Sequence, residues 1–336
     1  MVKYLYACAL LCLVNTTVFL HAQKPAPKIV LFDTDIGNDI DDVLALAMLY
    51  HYQKQGLIDL RAITISKAYP GAVLYVDMLN KYYQLPFIPI GYVGNNGITP
   101  DPGGYIRQTL TYKKNDSLLF FTDSTVLKRT TEAFKLQRKV LAACPDSSAI
   151  LIVVGFSTNI ARLLNSPPDE FSSLNGTALI ERKVSKLYLM AGSFGERPIA
   201  EYNILEDIQS AQLVFSKWPT PVYTSGFEIG HALQFPSKAL LDGFKEYWHH
   251  PVVNSYFHYM KMPYDRETWD LTAVMQAVFP DSNYFDYSPP GKITVDNKGF
   301  SKYKPLKNGR HYYFTFNQHK KKEVIRKMVF DVTGKR

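Results

Sequence analysis

Short apolar runs recur along the chain, each followed by turn-forming residues and then by a stretch with helical spacing. Runs at 29–32, 60–65, 87–90, 149–154, 185–190 and 221–225 have the length and continuity of strands buried on both faces. Apolar positions spaced for helices fill 43–49, 70–83, 125–143, 238–248 and 251–260, and Leu271, Val274, Met275 and Val278 share one helical face. Strand and helix alternate, so the pattern predicts an α/β fold: a mostly parallel central sheet covered by helices on both faces. Residues 91–117, rich in Gly, Asn, Pro and Asp, read as a long irregular loop bordering a pocket. Beyond Tyr284, aromatic and β-branched residues around Gly291, Gly299 and Gly309 predict a small hairpin region and a final Lys-rich helix.

The amino terminus departs from this alternation. Lys3 precedes a mostly apolar run, 4–20, and Ala22 supplies a small residue for cleavage, so 1–22 reads as a signal peptide and 23–336 as one catalytic domain. Asn15, Thr16 and Thr17 interrupt the run, leaving it short of the roughly 20 apolar residues of a membrane span. The mature protein is therefore expected to be exported, to a periplasm or the exterior, with no membrane attachment. Cys8 and Cys12 leave with the signal, so Cys144 has no intrachain disulfide partner and reads as packing. Net charge is +8, but the basic residues are scattered apart from Lys320, Lys321 and Lys322, which does not suit a nucleic-acid binder.

Chemistry concentrates directly after the first strand. In KIVLFDTDIGNDIDDVLALAMLY, five aspartates (Asp33, Asp35, Asp39, Asp41 and Asp42) fall within ten residues, Gly37 permits a sharp turn, and a helix starts near Asp41 or Asp42. Carboxylates gathered at a strand's carboxyl end without His or Cys favour a hard cation, Ca²⁺ or Mg²⁺. A solvated acidic loop accounts for one or two of these aspartates, not five. An EF-hand counted from Asp33 requires a Gly and an acid where Asn38 and Leu44 stand.

The stretch DTDIGNDIDDVLAL resembles the D-x-D-x-G-x-D-D signature of the inosine-uridine-preferring nucleoside hydrolase family, with two extra residues before the last Asp pair. GFSTNIA, AEYNI and RETWD resemble three further elements of that family. The resemblance implies a nucleoside hydrolase-like fold with a Rossmann-like core, and Ca²⁺-dependent hydrolysis of the N-ribosidic bond of a nucleoside. It implies Ca²⁺ held by Asp35, Asp42, the Val154 carbonyl and Asp270, with Asp35 as general base. Asp41, Glu201 and Asn203 then bind ribose, Glu201 and Asn203 from one extended segment; Asp39 is an alternative for either Asp41 or Asp42. Trp269 stands where many members carry a His acid and resembles the purine-preferring branch, so purine nucleosides are favoured and the indole is expected to stack on the base. A sugar-binding Asn of the family has no counterpart in the 190–201 loop, where Arg197 is the expected substitute. A homo-oligomer, dimer or tetramer, is also implied. A haloacid-dehalogenase-like phosphatase, and a non-catalytic exported sugar- or nucleoside-binding protein, are the alternatives.

Overall fold

The computed structural model describes residues 26–94, 96–99, 103–244 and 247–335. The expected signal peptide lies outside them. Among the described residues no helix is long and apolar enough to cross a membrane.

The main sheet has eleven strands: β1 (Lys28–Thr34), β2 (Ile58–Ile65), β3 (Ile90–Tyr92), β4 (Thr131–Glu132), β5 (Ala149–Val153), β6 (Val184–Met190), β7 (Val222–Ser225), β8 (Asp286–Tyr287), β9 (Gly291–Val295), β10 (Ser301–Pro305) and β11 (His311–Thr315). Their order is β10-β9-β11-β7-β6-β5-β1-β2-β3-β4, with β8 against β11. From β4 across to β11 every pairing is parallel. Successive residues of β1 serve opposite cores: Val30 and Phe32 join the helices Asp41–Lys54 and Trp269–Val278 on one face, while Leu31 joins Ala133–Ala143 and Ile208–Lys217 on the other. That explains why the strand is continuously apolar in sequence. From β1 the chain runs outward to β4 and returns to β5 on the other side of β1. The gap between the carboxyl ends of β1 and β5 is therefore the topological switch point, where open α/β sheets hold ligands.

Three expectations are corrected. The third strand is Ile90–Tyr92, not 87–90; Pro86 and Pro89 lack the N–H that a ladder needs, and Pro89 serves only by accepting from Ile63 N–H. The segment 125–143 is not one helix: Val126–Arg129 stops at Thr130, Thr131–Glu132 pairs with β3, and the helix restarts at Ala133. Within 91–117, the helix Gly104–Leu110 and a short hairpin break up the expected loop. The expected carboxyl-terminal hairpin is present, β9 against β10, and β11, which adds in parallel to β7, carries it into the main sheet.

Candidate metal and sugar site

The loop leaving β1 is shaped by its own side chains. Thr34 Oγ1 accepts from Ile36 N–H at 3.1 Å and donates to the Asp42 carboxylate. Gly37 has φ +120°, a conformation that side chains resist, and a Cβ there would lie 3.0 Å from the stem of Lys67. Tyr105, from the helix Gly104–Leu110, accepts from Gly37 N–H and donates to the Asp39 carbonyl, both at 2.8 Å. Asp41 and Asp42 open the helix Asp41–Lys54, and Asp270 stands in the first turn of the helix Trp269–Val278. The two helices are joined where it matters: Asp270 N–H donates to Asp41 Oδ2 at 3.1 Å.

Asp41, Asp42 and Asp270 are buried, and one carboxylate oxygen from each lies within 4.8 Å of the others. Burial pushes all three pKa values well above the ordinary carboxylate value, and repulsion from neighbouring aspartates, Asp35 and Asp39 among them, adds to it. An all-oxygen set that charged and that dry fits a hard divalent cation. Asp35 is buried beside them, its Oδ2 accepting from Asn38 Nδ2 at 2.6 Å, and burial raises its pKa to about 6. The trio thus contains Asp41, which the resemblance assigns to the sugar, and not Asp35, which it assigns to the metal.

These residues form one wall of a cavity of about 790 Å³, and the residues expected to bind metal, ribose and base line it: Asp35, Asp41, Asp42, Val154, Glu201, Asn203, Trp269 and Asp270. Val154 leaves the end of β5, and its carbonyl accepts from Asn203 Nδ2 at 2.8 Å. Glu201 and Asn203 do not share an extended segment as expected. Glu201 caps the helix Tyr202–Glu206, accepting from Asn203 N–H at 2.8 Å and Gly192 N–H at 3.0 Å, and Asn203 sits inside its first turn. Burial raises the Glu201 pKa to about 7 despite these bonds. At the start of the helix Thr158–Leu164, Ser157 makes no side-chain cap, and Thr158 Oγ1 donates to Asp207.

Two other aspartates are accounted for differently. Asp33 is buried under the loop, accepting from Asn159 Nδ2 at 2.8 Å and Gln137 Nε2 at 3.2 Å, and does not reach the cavity. Asp39 is not part of the trio: it turns to Arg266, and both side chains line the cavity. Arg197 is exposed and outside the lining.

The far end of the cavity is aromatic. Trp269 is stacked on Phe227 with ring centroids 5.5 Å apart, and its Nε1–H donates to the Phe227 carbonyl at 2.9 Å. The Arg266 guanidinium lies 5.1 Å from the Trp269 ring and 5.2 Å from that of Tyr259. Sequence reasoning passed over Tyr105, Phe227, Tyr259 and Arg266. Only Arg266 carried a signal, as a lone cation three residues before the Trp-Asp pair.

A model of the inosine-uridine preferring nucleoside hydrolase family matches residues 30–332. The chain belongs to this family. It is 29% identical over 217 residues to the pyrimidine-specific ribonucleoside hydrolase RihA of Citrobacter koseri, an alignment covering 61% of this chain and 62% of that one. The match thus spans less than two thirds of that curated relative. Among solved structures the fold resembles a plant nucleoside hydrolase, PpNRh1, with a TM-score of 0.68 and 18% identity over 92% of this chain and 100% of that one. It likewise resembles a purine-preferring ribonucleoside hydrolase from Gardnerella vaginalis, with a TM-score of 0.67 and 14% identity over 91% and 98% of the two chains.

Proposed function

We propose that this protein hydrolyses the N-ribosidic bond of nucleosides, releasing ribose and free base, with purine nucleosides favoured. The observation that carries this reading is the buried carboxylate trio beside Asp35, at the switch point of the sheet, in a cavity with one acidic wall and one aromatic end.

Asp35, Asp42, Asp270 and the Val154 carbonyl are the groups that would hold Ca²⁺. When bound, the ion supplies a fixed seat for the ribose diol and a lowered pKa for a neighbouring water. Asp41 accepts a hydrogen bond from a ribose hydroxyl. Glu201 and Asn203 face the rest of the sugar, held in place by their bonds to the backbone.

Asp35 accepts the proton of the water that attacks C1′. The C1′–N bond breaks, its electron pair leaves with the base, whose nitrogen takes up a proton from solvent while Asp35 returns its own, and positive charge develops on the sugar facing the acidic wall. General-base assistance of this kind is worth about 10²–10⁴ in rate. Trp269 offers a ring face to the base and no proton: an indole N–H is not an acid at neutral pH, and this one is bonded to Phe227. The preference for purines rests on that ring, although the Citrobacter relative is named for pyrimidines. Export with loss of residues 1–22, and assembly into a homo-oligomer, complete the proposal; amino-terminal sequencing and sedimentation of the secreted protein test them.

The functional test is ribose release from inosine, adenosine, guanosine, uridine and cytidine. Faster release from the purine nucleosides supports the reading. Release from uridine and cytidine alone overturns the purine preference, and release from none overturns the hydrolase.

A further inference from the structure

Lys67, just past the end of β2, is 0% exposed. Burying an ammonium is costly unless acceptor partners are found for it. Its Nζ donates to Asn38 Oδ1 at 2.6 Å, and Asn38 Nδ2 donates to Asp35 Oδ2 at 2.6 Å. The direction of this chain is unambiguous. An ammonium has only donors, so the Asn38 amide must turn its oxygen to Lys67 and its NH₂ to the carboxylate. The stem of Lys67 is seated as firmly as its head, running against Gly37, where a Cβ would meet Cδ at 3.0 Å and Cε at 3.2 Å. The backbone of Lys67 bridges to Ile98, and Ser66 N–H donates to the Thr34 carbonyl at 2.9 Å, so both ends of the relay are anchored to the strands that carry them.

We propose that Lys67 and Asn38 are positioning residues for Asp35: Lys67 fixes the Asn38 amide, and Asn38 fixes the rotation of the Asp35 carboxylate. The inference rests on Asp35 acting as the base. It gives the loop residue Asn38 and the buried Lys67 a part in the reaction without contact with the reacting atoms. A side chain that acts only through Asp35 has no effect of its own once Asp35 is gone.

The test is a mutant cycle with Lys67→Met, Asn38→Ala, their double variant, and Lys67→Met in an Asp35→Asn background. Each single change is expected to lower kcat about 10- to 100-fold, with KM for inosine within about threefold of wild type, since orientation of a catalytic group is lost while binding groups remain. The double variant is expected to be no worse than the poorer single, and Lys67→Met to be silent in Asp35→Asn. Ca²⁺ affinity by calorimetry is expected to fall by no more than about 10- to 100-fold, since Asp35 is also one of the groups that would hold the ion. Losses of kcat that multiply in the double variant overturn the relay, as does an Lys67→Met effect that persists without Asp35. If Lys67→Met does not fold, Asn38→Ala, on a half-buried loop position, decides by its KM and kcat alone. If wild type releases no ribose from any nucleoside, the function fails rather than the relay. The relay is then judged by urea unfolding of the metal-free variants, where simply additive changes overturn it.

Discussion

Arg266 grips Asp39 across 227 positions of sequence, its Nε 2.9 Å from Oδ1 and its Nη2 on Oδ2. Asp39 and Ile40 are the two residues that lengthen the acidic motif, and the longer loop is what brings a carboxylate to Arg266. The pair ties the loop after β1 to the segment that delivers Trp269 and Asp270, and the guanidinium also faces the Trp269 ring.

Removing Arg266 should therefore cost stability and disturb the aromatic end of the cavity while sparing the cation site. The ion-pair side chains are 19% and 24% exposed, so Arg266→Ala should lose about 2 kcal/mol in urea melts, the order of a hydrogen-bonded charged pair, and Arg266→Lys about half of that. Asp270 has its own tie to Asp41 at 3.1 Å, so Ca²⁺ affinity should change by less than about tenfold. A larger loss of Ca²⁺ binding in Arg266→Ala contradicts the division of labour.

Stability of the metal-free protein should fall as pH rises. Burial raises Asp33 and Glu201 to about 7 and Asp35 to about 6, and holds Asp41, Asp42 and Asp270 well above their ordinary range. A carboxyl whose folded pKa exceeds its unfolded value of about 4 stabilises the fold fully below pH ~4 and loses that contribution as pH rises through the folded pKa. The chelated protein should thus melt progressively lower between pH 5 and 8, on the scale of ~1.4 kcal/mol per group per unit. Ca²⁺ at 100 times its Kd should return about 2.7 kcal/mol. Melting curves that are flat with pH and insensitive to Ca²⁺ count against a cation site.

Gly155 should not tolerate a methyl group. A Cβ there would lie 2.4 Å from both Asp35 N and Ser66 Oγ, squeezed between the strand ends that form the site. Gly155→Ala is expected to destabilise by about 1–3 kcal/mol, as overpacking does, and to lower activity through Asp35. A variant with wild-type melting and activity shows that the ends of β1 and β5 are looser than described.

Trp269 should matter as a ring. Trp269→Phe keeps a face for the base but forfeits the bond to the Phe227 carbonyl, whereas Trp269→Ala removes both. An aromatic contact is worth about 0.5–1.5 kcal/mol beyond its area, so KM for inosine should rise about tenfold or less in Phe and further in Ala. Equal effects on inosine and cytidine argue against a role in base preference.

The parallel core was legible in the sequence because strands buried on both faces leave uninterrupted apolar runs, and stretches of helical spacing separate them here as in any α/β sheet. The acidic wall was legible for a similar reason: Asp35, Asp41 and Asp42 are neighbours in the chain. Asp270 and the pair Glu201 and Asn203 were found only through resemblance to the family. Taken alone, Asp270 reads as a helix N-cap and Glu201 and Asn203 as polar residues of an extended segment, whereas Glu201 caps a helix. What the sequence hid depends on long-range approach. The Asp39–Arg266 pair and the Lys67–Asn38–Asp35 chain join segments that no local period connects. The parallel addition of β11 to β7 was hidden likewise, since a hairpin at the chain end has no local mark showing which sheet it joins.

The most direct measurement is a Ca²⁺ titration of chelator-treated protein that follows ribose release from inosine and calorimetric binding together. The account predicts that release appears in step with Ca²⁺ occupancy, and that Asp42→Asn and Asp270→Asn each weaken both by at least about tenfold. Ribose release that persists in full under chelation, or Ca²⁺ binding unaffected by both substitutions, would contradict it.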